Sequence, residues 1–114
     1  MIDIDLQRAK DGLEEFANEN GKWQYWINAP KGEIWTFEEA WAYVFDDSRI
    51  GSALDAGEIR ERYGANIHNY FRELSKVLKQ VPPNLKPEDL IKLPVMQKVK
   101  SAAQKLLNSK MFGF

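Results

Sequence analysis

The sequence predicts an α+β domain that is mainly α-helical, with five to six helices packed against one small antiparallel β-hairpin at about residues 22–36. Three observations carry this. Apolar residues recur at helical spacing in several segments, apolar and polar residues alternate in one, and glycine or proline stands at the boundaries. With 114 residues, 44% hydrophobic and 29% charged, the chain fits one globular domain spanning 1–114.

The strongest helical pattern runs over residues 35–47. Thr36 and Glu39 have the spacing of a capping box, and Glu38 and Glu39 lie where the helix dipole favours anions. Phe37, Ala40, Trp41, Val44 and Phe45 fall on one face and predict the core helix. Asp46 and Asp47 close it at the end where the dipole disfavours negative charge, a pattern that ordinarily starts a turn with Ser48 and less often serves a basic partner or a metal.

Upstream, Asp3 or Asp5 can cap a first helix whose buried stripe is Leu6, Ala9, Leu13, Phe16 and Ala17, ending near Asn20-Gly21. Gly12 weakens it by about 1 kcal/mol relative to alanine. Its outer face carries Asp11, Glu14, Glu15 and Glu19. Trp23, Tyr25 and Ile27 then alternate with Gln24, Trp26 and Asn28, a strand period. Ala29-Pro-Lys-Gly32 supplies a type I turn and residues 33–35 return as the second strand. On that reading Trp26 points away from Trp23 and Tyr25, either covering the first helix or meeting a partner.

Residues 48–51 read as a connection. Asp55 and Glu58 repeat the cap spacing and start a short helix that stops at Gly64. Asn66 can cap the next, with Ile67, Tyr70, Phe71, Leu74 and Leu78 on one face and Asn69, Arg72, Lys76 and Lys79 on another. Pro82-Pro83 ends it. Pro87 opens a short helix and Pro94 a long one, with Val95, Val99, Ala102 and Leu106 buried and Lys98, Ser101 and Lys105 in a polar line. Met111-Phe-Gly-Phe114 is either a docked hydrophobic latch or a frayed end.

The chemistry visible in the sequence is sparse. There is no cysteine and one histidine, His68, so thiolate chemistry and His-paired metal sites are not expected. No glycine-rich phosphate loop is present. His68, between Ile67 and Asn69 at a helix start, reads as a surface or boundary residue. A non-enzyme without cofactor or metal is the expectation. The absence of a long apolar run and of a signal-like N-terminus points to a cytoplasmic protein with no membrane partner.

Charge is the informative feature. Residues 1–57 balance to −7 and residues 58–114 to +6, which together give the net −1. Such a split suggests two surfaces with opposite preferences. The acidic one, with Glu14, Glu15, Asp46 and Asp47 and with Trp26 as an aromatic anchor, suits a basic protein partner such as a toxin or nuclease domain. In kind this is similar to small bacterial immunity proteins and antitoxins. The alternative lies in residues 58–79, which superficially resemble a helix-turn-helix. That resemblance implies DNA or RNA binding, with Asn66, His68, Asn69 and Arg72 toward base edges and Lys76 and Lys79 on phosphate. Arg60 and Glu73 depart from its usual pattern.

Overall fold

The computed structural model describes residues 1–28, 37–82 and 85–112. Of these, 77% are helical and none is in a strand, so the predicted fold class is corrected: the described chain is all-helical, with eight α-helices. They are α1 (Leu6–Phe16), α2 (Lys22–Asn28), α3 (Phe37–Ala42), α4 (Ile50–Asp55), α5 (Glu58–Tyr63), α6 (Ala65–Leu78), α7 (Pro87–Leu90) and α8 (Pro94–Leu107). Short 3-10 turns occupy Glu19–Gly21 and Lys110–Phe112, and Tyr43–Asp47 is π-helical.

The hairpin is the main casualty. Its first strand is α2 instead; residues 29–36, which include its turn, its second strand and the Thr36 cap, lie outside the described residues. The reason for helix is visible in α1. Trp23 Nε1 donates to the Glu15 carbonyl at 2.8 Å and Trp26 Nε1 to the Glu15 carboxylate at 3.1 Å. Both indoles must therefore face the same way, which residues three apart do on a helix and do not on a strand. The Asn18 side chain accepts from the Trp23 N–H at 2.9 Å and so satisfies one of the free donors at the start of α2.

Asp5 is the N-cap of α1, accepting from Arg8 N–H at 3.1 Å. Gly12 has a packing role: a Cβ there would lie 2.7 Å from Val44 Cγ2 and 2.8 Å from the Ala40 carbonyl. The missing side chain lets α1 cross the α3 segment at close range. Phe37 then stacks edge-on against both Phe16 and Trp41, at 5.6 and 5.7 Å between centroids.

Residues 37–47 form an α-helix that widens into a π turn, rather than one uniform helix. Ser48, fully buried, ends it by donating to the Val44 carbonyl, and its own carbonyl accepts from Asp5 N–H at 2.9 Å. The connection expected at 48–51 is largely α4. Nor does Asp55 cap α5: the N-cap is Gly57, and the Glu58 carboxylate instead accepts from Ile2 N–H at 2.8 Å. Gly64, at φ 101°, separates α5 from α6 and takes the cap position expected of Asn66.

Helix α8 packs against both α1 and α6, and α1 in turn packs against α2, α3 and the π segment. Helix α8 buries Met96, Val99, Ala102, Ala103 and Leu106. At the C-terminal end Met111 is buried and Phe112 packs on the core, so that part of the tail is docked.

Candidate docking surface

The acidic residues singled out in the sequence separate into two groups. Glu15 is only 4% exposed. Besides Trp26 its carboxylate meets Lys22 Nζ at 3.4 Å, so this buried charge is both paired and hydrogen-bonded, as burial requires. Trp26, 5% exposed, stacks on Trp23 and on Phe37 at 6.1 and 6.4 Å. Glu15 and Trp26 thus build the α1–α2 corner and present no contact surface.

Asp46 and Asp47 are exposed and Glu14 is half-buried. Arg8 is held between Asp5 at 3.4 Å and Asp47 at 3.7 Å, with its guanidinium 5.4 Å from the Tyr43 ring. This ties the π segment to the start of α1. Asp46 has no ion-pair partner among the described residues. Single π turns recur at functional positions, and here the π turn carries the Asp46-Asp47 pair outward. Arg49 follows in a left-handed conformation, φ 68°, a geometry uncommon for a non-glycine residue.

Two open hollows line this side of the molecule. One, of about 460 Å³, is formed by Asp3, Ile4, Asp5, Leu6, Asp47 and Arg49. The other, also about 460 Å³, is formed by Asp11, Glu14, Glu15, Lys22 and Tyr25. Tyr25 is 66% exposed and is the residue the strand reading placed inside. An exposed ring beside carboxylates is the feature the sequence reasoning missed. The spacing of Trp23 and Trp26, three apart, was the signal: read as a helix face it buries both indoles and turns Tyr25 out.

The two halves meet at the N-terminus, where Arg62 donates to the Ile2 carbonyl at 3.0 Å, but no ion pair among the described residues joins them. The ion pairs among the described residues all lie within residues 1–57, and none of the eleven cations of residues 58–114 takes part in one. The acidic side is not folded onto the lysines.

Of the alternative set, Asn66, Asn69, Arg72, Lys76 and Lys79 are exposed on α6. His68 departs from expectation: it is 6% exposed and its Nδ1 is buried without a hydrogen-bond partner. Burial, with Arg60 and Arg72 nearby, holds its pKa below the ordinary 6.5 and keeps the ring neutral near pH 7. It cannot reach a base edge from there.

Among the described residues no group of three or more His, Cys, Asp or Glu side chains is disposed to hold a metal, and no helix is long and apolar enough to cross a membrane. No family model matches the chain, and neither a curated protein nor a solved structure matches it.

Proposed function

We propose that this chain is a non-catalytic binding protein whose acidic side docks a basic protein. The most concrete form of that reading is a small bacterial immunity protein or antitoxin, acting in the cytoplasm on a basic, nuclease-like toxin. A nuclease is basic because its substrate is polyanionic, and an acidic surface can occupy the same cleft. The observation that carries the reading is the outward acidic side: Asp46 is exposed with no ion-pair partner among the described residues, and Asp5 and Asp47 are exposed and share the single cation Arg8, with no ion pair to the cations of the second half. Tyr25, exposed beside Glu14 and Asp11, replaces Trp26 as the aromatic anchor. Long-range charge sets the rate of encounter, and a desolvated ring at the centre of the contact slows release.

The test begins with a pull-down from the native host to obtain the partner, followed by stopped-flow association. Combined reversal at Glu14, Asp46 and Asp47 to lysine should slow association at low salt by ten-fold or more, with the difference shrinking as salt rises. Tyr25→Ala should act on the dissociation rate instead. Unchanged rates in both variants, with the fold intact by circular dichroism, would remove the acidic side as the contact.

A further inference from the structure

The proposed docking of a basic protein leaves the opposite charge field unused. On α6, Asn69, Arg72 and Lys76, with Lys79 at the C-cap, are spaced i, i+3, i+7 and i+10, so they share one face of the helix and its end. All four are exposed, and none of the cations is paired. Arg60 is a further exposed cation on α5, which packs against α6. The carboxylate on α6, Glu73, is exposed at the edge of the stripe, one turn from Asn69 and Lys76, and also lines the groove to α8 with Lys98 and Lys105. The stripe itself holds no acidic residue.

We propose that this face binds the phosphate backbone of duplex nucleic acid without reading its sequence. The rise from Arg72 to Lys79 is about 10 Å, seven residues at 1.5 Å each. Phosphates of one strand advance about 3.4 Å each along the duplex axis, so three cations can serve about three successive phosphates. A duplex fits better than a single strand. Single strands are held by bases stacked on exposed aromatic rings, and the exposed large apolar side chains among the described residues are Met1, Tyr25 and Leu85, none of them on α6. A backbone contact fits better than base readout because His68 is withdrawn from the helix surface, while the remaining cations are generic phosphate partners.

The experiment is fluorescence anisotropy of a labelled 16-base-pair duplex with the full chain, at salt from 50 to 200 mM. Three neutralised phosphates predict a slope of log affinity on log salt near −2.7, which is about 40-fold weaker binding across that range. Combined Arg72→Gln, Lys76→Gln and Lys79→Gln changes exposed side chains only, so the fold should persist by circular dichroism while the slope falls towards zero. Two unrelated duplex sequences should bind within two-fold of each other. Asp46→Lys with Asp47→Lys should keep or strengthen duplex binding, whereas the same pair weakens docking of a basic protein, so the two proposals fail separately. Absence of binding at 50 mM salt would overturn the assignment, as would an unchanged slope in the folded triple variant. Equally tight binding of a polyglutamate peptide would also overturn it, assigning the face to an acidic protein.

Discussion

Gly12 and His68 show how far single positions diverge from what residue type suggests. Read as a helix residue, Gly12 is a weakness, and alanine there should gain about 1 kcal/mol. The packing reverses the sign. A methyl at 2.7 Å from Val44 Cγ2 and 2.8 Å from the Ala40 carbonyl forces α1 off the α3 segment, and overpacking of this kind costs about 1–3 kcal/mol. Gly12→Ala should therefore lower the urea midpoint; a rise would mean that the crossing yields easily. His68 links stability to pH. Its folded pKa lies below the ordinary 6.5, so below about pH 6.5 the unfolded chain takes up the proton more readily than the folded one. The stabilisation is therefore complete above 6.5 and lost as pH falls from 6.5 towards the folded value. His68→Leu should flatten the decline in stability between pH 6.5 and 5 measured by urea titration. An equally steep decline in the variant would assign it to other groups.

At the scale of elements, α1, α6, α7 and α8 were legible because their apolar stripes are long or their proline starts unambiguous. Helix α2 was not. Over seven residues a period of two and a period of 3.6 are nearly indistinguishable, and aromatic content favours the strand. What decides it is tertiary: two indole N–H groups must both find acceptors on Glu15. No local pattern contains that information, and the same contact took Glu15 and Trp26 out of the expected docking set. Helix α4 was hidden because Ser48, which looks like a loop residue, acts as a buried hinge after the π turn. The α1–α2 corner gives its own prediction. Asn18 sits at φ 56° and caps α2 through its side chain, so Asn18→Ala loses the cap and strains the backbone. A loss of about 1–2 kcal/mol in chemical denaturation is expected. Asn18→Gly, which keeps the backbone geometry, should lose less.

For the whole molecule, the sign of each half was readable by counting, and the structure adds that the halves do not neutralise each other. Helix α8 packs against both α1 and α6. A chain with net charge −1 thus carries exposed groups of both signs that can meet differently charged neighbours. The docking of a basic protein and the gripping of a duplex would use separate residues, and raising ionic strength weakens both.

The reliance of α1 on α8 has a consequence during synthesis. The stripe of α1 is complete once residue 16 has been made, and α2 and residues 37–47 cover part of it early, but the part that packs on α8 stays open until residue 94 and beyond. At about 5–20 residues per second, the ribosome leaves the α8-facing part of α1 waiting roughly 4–16 s for its partner helix. The nascent chain is therefore exposed to chaperones and to misassembly until α8 has been made, and a stop codon placed ahead of α8 should yield a product that is degraded instead of a smaller working protein.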